Sequence, residues 1–303
     1  MKQDKDKDED LLSEARERFE HVINVDGDNR DNHRKDMQFV YSPGSQWPDD
    51  VKDKRKEWKE LCLEFNQLKP FVAQVVNDQR QNRPGVRVHP AGDDASKEVA
   101  DILQGLFMNI EYESKAEAAY DNAFQSAVVG GRGWWRINTD YVGNTLDQNL
   151  CITPIYDTNT VYADIDYQQP DGSDRKFLFV TEKMTRKEFK RKYPKADEVS
   201  LSDTDEYWSS NDNDIIIADY YRRVCTTRTM VHMSDGAMGY KDEMPTPPPE
   251  VTEVKSREID EYKVEWYTIA GGNQLLETHE WKGTFIPVIC TTGDDLLLDG
   301  KRV

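Results

Sequence analysis

Apolar residues recur at intervals of three and four in the first part of the chain, which is the spacing of one face of an α-helix. The first such pattern covers residues 9–26 and ends at an Asp-Gly-Asp turn. A second, shorter helix is expected over residues 29–41, because a Ser-Pro-Gly-Ser sequence follows it. A heavily charged stretch comes next. We therefore expect residues 1–60 to form a peripheral, charged helical arm.

Three further helices are predicted between residues 66 and 131. Asn66 is a good N-cap for the first of them, and Pro70 fits its first turn. The third begins with a Ser-Lys-Ala-Glu capping box at residues 114–117, carries small residues on its stripe and stops at two glycines. The second has the clearest apolar stripe in the chain, so one of its faces must be buried. Its stripe consists of Ala95, Val99, Ile102, Leu103, Leu106, Phe107 and Ile110.

Alternation of apolar and polar residues predicts β-strands. The clearest case follows the last of these helices, where Trp135, Ile137, Thr139 and Tyr141 alternate with polar or charged neighbours. A capping box at Thr185 predicts one more short helix, which ends at Tyr193. Short extended pieces or strands are also predicted at residues 61–65, 86–90, 150–155, 161–163, 177–181, 215–224, 227–233, 259–269, 274–281 and 285–291.

These patterns predict the α+β fold class, with a helical region that contains small mixed sheets followed by a β-rich region. The predicted segments are the arm at 1–60, an α+β core at 61–195, an acidic linker at 196–214 and a β-rich region at 215–303. Within the last segment we expect a hairpin turn at Gly271, Gly272 and Asn273, and a proline-rich loop over residues 244–249. Because the chain stops directly after a turn signal, we also expect it to be truncated.

Composition narrows the functional classes. The chain has 303 residues, a formal charge of −18, and seven Trp, ten Phe and fourteen Tyr, which is too aromatic for a disordered protein. A surface that negative repels nucleic acid, so a DNA-gripping module is disfavoured, although a passage that DNA crosses without sticking remains compatible. The four cysteines are far apart and there is no signal or membrane-spanning segment, which predicts a cytoplasmic protein with reduced thiols.

Two loop motifs were weighed for ligand binding. The Gly-Gly-Arg-Gly sequence at residues 130–133 lacks the Lys-Ser/Thr of a phosphate-binding loop and leads from helix to strand, so we interpret it as a helix C-cap. Residues 26–31 match a calcium loop at three positions. Such a loop needs an oxygen ligand at its fifth position, Gly at its sixth and Glu at its twelfth, but this chain has Arg30, Asp31 and Met37 there. These departures favour an inter-helix turn instead.

An acidic cluster offers the only catalytic alternative. Asp164 and Asp166 alternate on an extended segment, with Asp171 and Asp174 nearby, and could hold a divalent ion for phosphodiester cleavage. No histidine with ligand spacing accompanies them, so this is the weaker hypothesis. The tryptophans at 134, 135 and 266 lack basic neighbours for stacking on bases and favour core packing or subunit contacts. The five scattered histidines, His21, His33, His89, His232 and His279, are interpreted as surface or cap residues.

Several strings of the chain resemble the amino-terminal part of the P22-like bacteriophage portal proteins. They are LEFNQLKPFV at 63–72, NDQRQNRP at 77–84, AYDNAF at 119–124 and GWWR at 133–136. Later, IPV at 286–288 and DGKR at 299–302 resemble the segment that precedes the long channel-lining helices of that family. The resemblance spans about residues 19–303, and the 77–84 string is its most specific part.

The resemblance implies a structural protein with no catalytic, cofactor-binding or metal-binding residues. Members form a ring, usually a dodecamer, at one capsid vertex, where DNA is packaged and ejected and the tail attaches. The implied partners are copies of itself, the terminase motor, capsid and scaffolding proteins, tail adaptor proteins and double-stranded DNA passing through without sequence-specific binding. The implied location is the virion, with assembly in the host cytoplasm. The helical part would form a wing, and the β-rich region a clip or the approach to the stem.

Two alternatives remain open at this stage. One is a divalent-metal phosphodiesterase or nuclease that uses Asp164, Asp166 and Asp174. The other is a different phage head or connector protein with a related core.

Overall fold

The computed structural model describes residues 2–91, 96–194, 196, 214–244, 252–293, 297–298 and 301–302. Apart from their end residues, the predicted acidic linker and proline-rich loop lie outside the described residues. The described part combines helices with antiparallel strand pairs, which confirms the α+β class. The helices are α1 Lys2–Tyr41, α2 Asp49–Glu57, α3 Leu68–Gln81, α4 Lys97–Ser114, α5 Ala116–Gly130 and α6 Arg186–Lys192.

The strands follow the predicted alternation closely after residue 130. They are β1 Arg132–Tyr141, β2 Gln148–Ile155, β3 Val161–Ala163, β4 Phe177–Thr185, β5 Asp214–Met233, β6 Met238–Tyr240, β7 Glu253–Ala270, β8 Gln274–Trp281, β9 Val288–Thr292, β10 Leu297–Leu298 and β11 Lys301–Arg302. A short 3₁₀ turn, Thr158–Thr160, precedes β3. The two strands predicted at 215–224 and 227–233 are one continuous strand, β5.

The chain divides into two compact units. We call Met1–Arg18 with Asp166–Ile286 the sheet unit, and Phe19–Ile165 with Pro287–Val303 the helical unit. The four segments drawn from the sequence stay a prediction.

Helix α5 and strand β1 form the centre of the helical unit. The small residues of α5 are almost fully buried, with Ala116, Ala119 and Ala123 at most 1% exposed, and they face the antiparallel sheet β2-β1-β9. Gly131, at φ +83°, ends α5 in the left-handed conformation that glycine adopts without strain. A Cβ on Gly133 would lie 1.9 Å from the carbonyl oxygen of Ala123. The helix and the strand therefore touch at a distance that only glycine allows.

Helix α1 runs without a break through the turn predicted at residues 26–28, so that prediction is wrong. Asp26 is 3% exposed, and its two carboxylate oxygens accept from the Arg132 guanidinium at 2.7 and 2.8 Å. Arg30, one turn later, donates to the backbone carbonyls of Asn159 and Val161 and stacks on Tyr162. These tertiary contacts use the polar side chains that would otherwise close a turn, so they override the local preference.

Residues 86–90 form no strand, although they were predicted to. The side-chain amide of Gln104 on α4 supplies the missing partner: its Oε1 accepts from the Val88 N–H at 2.7 Å, and its Nε2 donates to the Val86 carbonyl at 3.1 Å. One amide thus satisfies the backbone groups that a neighbouring strand would satisfy. The predicted extended piece at 61–65 likewise lies in a segment without regular structure.

The helix ends show where local signals decided the fold. Asn66 caps α3 as predicted, because its Oδ1 accepts from the N–H groups of Leu68 and Lys69, both at 3.1 Å. The capping box of Thr185 and Glu188 at the start of α6 is also confirmed. The box predicted at 114–117 is wrong, since Lys115 takes a left-handed conformation (φ +50°) between α4 and α5 and makes no side-chain cap.

In the sheet unit, β4, β5, β7 and β8 lie side by side in that order. Their buried face includes Phe179 and Tyr220, whose rings stack at 4.4 Å between centroids. The first part of α1 is tied to this sheet by the Arg18 guanidinium, which donates to the Tyr220 hydroxyl at 2.8 Å. The Glu14 carboxylate also pairs with Arg222 at 2.5 Å. The glycine hairpin at residues 271–273 is confirmed, with both glycines at positive φ.

Strands β5 and β7 continue together beyond their outer neighbours. Pairing of β4 ends at Arg222 and pairing of β8 ends at Val264, whereas β5 and β7 stay in register to His232 and remain paired, after a one-residue shift, at Met233. We call this two-stranded extension the ribbon. At its middle the Arg228 guanidinium pairs with the carboxylates of Asp242, Glu243 and Glu261 at 2.7, 2.8 and 3.1 Å. The same guanidinium lies over the Tyr240 ring at 3.9 Å.

We expect Gly133→Ala to lower the free energy of unfolding by about 2–3 kcal/mol, because the added methyl group would overlap backbone that has no room to move. Gly27→Ala is the matched control: nothing lies within 4 Å of its Cβ position inside α1, so alanine should stabilise the helix by about 0.5–1 kcal/mol. Urea unfolding followed by circular dichroism measures both changes. A Gly133→Ala protein as stable as the parent would contradict the close contact.

We expect Asp26→Asn to cost about 2–3 kcal/mol of stability, since it removes the negative charge that pairs with the partly buried Arg132 at 2.7 Å. Asp28→Asn, on the exposed side of the same helix turn, should change stability by less than about 0.5 kcal/mol. The same denaturation experiment compares the two. Equal stabilities would show that Asp26 does not hold α1 to β1.

Candidate functional site

The glycine turn at residues 130–133 is a structural element, as predicted. Gly131 is the C-cap of α5, and its N–H donates to the Ala127 carbonyl at 2.9 Å. A Cβ on Gly130 would lie 2.1 Å from the His33 ring. The space beside Gly130 and Gly133 is therefore filled by protein, and Gly131 serves as the helix cap.

The calcium-loop pattern at residues 26–31 falls inside α1, so these residues form a helix where the sequence favoured an inter-helix turn. Arg132 occupies both oxygens of Asp26, and one of them also accepts from the Asn29 side chain at 3.2 Å. Burial lowers the pKa of the Arg30 guanidinium, while Tyr162 and Asp26 beside it oppose that shift. This cluster joins α1 to β1 and to the segment before β3, and its charges are already paired.

In the acidic cluster of the nuclease hypothesis, Asp171 and Asp174 accept hydrogen bonds from backbone N–H groups. Asp174 accepts from the N–H groups of Gln168 and Gln169 at 2.6 and 3.2 Å. Asp171 accepts from the Ser173 N–H at 3.0 Å, and this hydrogen bond lowers the pKa of the Asp171 carboxyl. Asp164 is 4% exposed. Across the part of the chain that the structure describes, no three His, Cys, Asp or Glu side chains are grouped to hold a metal ion.

One polar cluster on the sheet unit was not foreseen from the sequence. The Thr268 hydroxyl donates to Asp219 at 3.0 Å, so His279 Nε2, also 3.0 Å from that hydroxyl, must act as a donor to it. The His279 ring packs against Trp266 at a tilt of 31°, with 4.2 Å between the ring centroids. These residues line a cleft of about 140 Å³ together with Lys192 of α6 and its C-cap residue Tyr193, among others. Burial raises the pKa of Tyr193. The cluster fixes side chains across three strands, and the Thr268 hydroxyl beside His279 already donates its proton to Asp219.

His279, which belongs to the cleft just described, departs from the surface or cap role predicted for the histidines. His33 is 4% exposed, and its Nδ1 lies 2.9 Å from the carbonyl of Gly130, the last residue of α5, which is the contact of a cap residue. Trp134 and Trp266 pack within the protein, as the sequence favoured. Trp134 is 2% exposed in the core of the helical unit, and Trp266 lies between its cross-strand neighbours Tyr221, on which it stacks, and His279.

The most unusual surface of the molecule is the apolar face of α4. We call Val99, Ile102, Leu103 and Leu106 the α4 stripe; they are 54%, 69%, 49% and 54% exposed. The prediction that this face is buried is thus wrong for a single chain. Ile110, at the carboxyl end of the same face, does pack against the cluster of Ala116, Ala119 and Ile152. The first turns of α4 extend past that core and leave the stripe uncovered.

An amphipathic stripe of this kind is typical of helices that bind another protein element. It does not make α4 a membrane helix. Among the helices of the described residues, none has both the length and the apolar run needed to cross a bilayer. On this evidence the α4 stripe is the best candidate for a functional surface, and its chemistry is that of protein–protein contact.

Comparison with known proteins identifies the family of the chain. The chain is 27% identical over 287 residues to the portal protein of Acyrthosiphon pisum secondary endosymbiont phage 1, and the match covers 86% of this chain and 39% of that protein. This chain therefore spans about two fifths of the length of that curated relative. The family described as phage P22-like portal protein matches residues 16–303. Since that match covers nearly the whole chain, the resemblance found in its sequence is confirmed, and the chain belongs to the phage P22-like portal protein family.

Proposed function

We propose that this protein is a portal subunit of a tailed bacteriophage or prophage. Copies of it form a ring, of twelve members, at one vertex of the capsid. DNA enters through the ring during packaging and leaves through it at ejection, and the tail attaches to its outer side. The family match over residues 16–303 is the observation that carries this proposal.

The exposed α4 stripe supports a subunit of a larger assembly. Side chains that are half to two thirds exposed in the single chain gain free energy when a neighbour covers them, at about 25 cal/mol per Å² of apolar surface. A closed ring covers such a surface on every copy.

The charge of the chain supports a passage for DNA. Each copy carries −18, which repels the phosphate backbone, whereas a basic wall would hold DNA through several phosphate contacts at every step. We infer that double-stranded DNA passes without sequence-specific binding.

The remaining partners follow from the same role. They are a terminase motor that drives DNA inward, capsid and scaffolding proteins that surround the vertex, and tail adaptor proteins. The subunit then resides in the virion after assembly in the host cytoplasm. The role is structural, and no catalytic residue is assigned. Nothing in the comparisons or in the grouping of the described residues favours the nuclease that would use Asp164, Asp166 and Asp174.

We expect deletion of the coding sequence, from the phage or prophage genome that carries it, to abolish packaging while capsid protein is still made. After induction and DNase treatment, quantitative amplification of a phage gene should show at least a hundredfold loss of protected DNA. A plasmid copy of the deleted sequence should restore it. Normal yields of DNA-filled particles without the gene would contradict the portal role.

A further inference from the structure

A second apolar surface of the helical unit lies in the segment between α2 and α3. Leu61, Leu63 and Phe65 are 74%, 62% and 77% exposed, and we call these three residues the ridge. They alternate with Cys62 and Glu64. Three large apolar side chains with this exposure are a strong sign of a surface that contacts another protein.

The ridge is held in place although it has no regular secondary structure. Glu64, between two ridge residues, accepts from the N–H groups of Gly44 and Gln46 at 2.6 and 3.0 Å. Trp47 Nε1 donates to the Leu63 carbonyl at 3.2 Å, and Arg55 donates to the Leu61 carbonyl at 2.9 Å. A partner therefore meets a pre-ordered backbone, which reduces the entropy lost on binding.

The ridge and the α4 stripe match in size. From the exposed fractions, each leaves on the order of 400 Å² of side-chain surface uncovered. Leu68, Phe71 and Val75 of α3, which begins just after the ridge, are 43%, 65% and 46% exposed and add roughly 300 Å². A contact that covers all three surfaces buries roughly 1,100 Å², which reaches the lower limit for a specific protein interface.

The charges beside the stripe disfavour pairing of two stripes. Helix α4 carries Glu98, Asp101, Glu111 and Glu113 against Lys97 alone, so two stripes facing one another would bring like charges together. Residues 52–60, just before the ridge, carry five basic and three acidic side chains, so a ridge facing a stripe brings more unlike than like charges together.

We propose that the ridge of one copy of this protein binds the α4 stripe of a second copy. The contact is heterologous, so it leaves one ridge and one stripe free on a dimer and continues from copy to copy until a ring closes. This inference rests on the proposed portal function, because it specifies which surfaces of neighbouring subunits meet.

Mixing two complementary variants tests the pairing. The ridge variant carries Leu63→Asp and Phe65→Asp, and the stripe variant carries Ile102→Asp and Leu106→Asp. Sedimentation velocity of the 303-residue chain should show concentration-dependent association of the parent and loss of association, by at least tenfold in dissociation constant, for each variant alone. An equimolar mixture should form 1:1 dimers and nothing larger, because one intact ridge meets one intact stripe and no free pair remains.

Matched controls exclude a general effect of added acid. Met108→Asp changes a 60% exposed residue roughly opposite the stripe around α4, by the 100° turn per residue of a helix. Leu146→Asp changes a 92% exposed residue in the β1–β2 turn. Both should associate like the parent. Circular dichroism checks that all variants are folded, and serine replaces aspartate at the same positions if a variant is not.

Three outcomes would overturn the proposal. A ridge variant that still dimerises alone shows that stripes pair with stripes. Association that neither variant weakens shows that other surfaces of the chain meet. A parent that stays monomeric at 100 μM, roughly a hundred thousand times a nanomolar dissociation constant, shows that another occupant such as a different head protein covers the stripe. The packaging experiment is independent: a failed mixing test with packaging still dependent on the gene removes this interface and leaves the portal role intact.

Discussion

The contact between α5 and β1 is the constraint on which the helical unit depends. Gly133 has no side chain, and the alanines of α5 have small ones. The backbone of β1 at Gly133 therefore lies directly against the backbone of α5 at Ala123. The sheet β2-β1-β9 is then fixed beneath α5, while α3 and α4 are attached to its sides. A core built from small residues packs its helix and strands closely together, but it covers only a narrow strip of the neighbouring helices. The larger apolar side chains of α3 and α4 extend beyond it and remain at the surface.

Local chemistry determined much of what the sequence predicted correctly. Alternation located β1, β2, β4 and β8, and capping residues located the starts of α3 and α6, because these signals act within four residues of chain. The failures share a different cause. Asp26 pairs with a residue 106 positions away, and Gln104 completes the hydrogen bonding of a segment 16 to 18 positions earlier. No local pattern contains information on contacts at that separation.

The candidate surfaces show the same limit. The α4 stripe was recognised as apolar from its spacing, but whether it is covered depends on how far α5 and β2 extend beside it. The cluster of Asp219, Thr268 and His279 depends on the register of three strands, since these residues become neighbours only when β5, β7 and β8 are aligned. Family membership, in contrast, could be inferred from short strings such as the one at residues 77–84, because their residue order is more distinctive than their periodicity.

The ribbon formed by β5 and β7 has a further consequence. Beyond the sheet its strands expose long edges, partly covered by β6, whose free N–H and C=O groups are able to recruit any extended chain nearby. On the outer half of the ribbon β7 carries Glu253, Lys255, Arg257 and Glu258, and Arg228 pairs with three carboxylates at the middle of the ribbon. Charged side chains along an open edge discourage fibril-like stacking. Where many copies crowd together, that charge keeps each ribbon from joining its neighbours' ribbons into a continuous sheet.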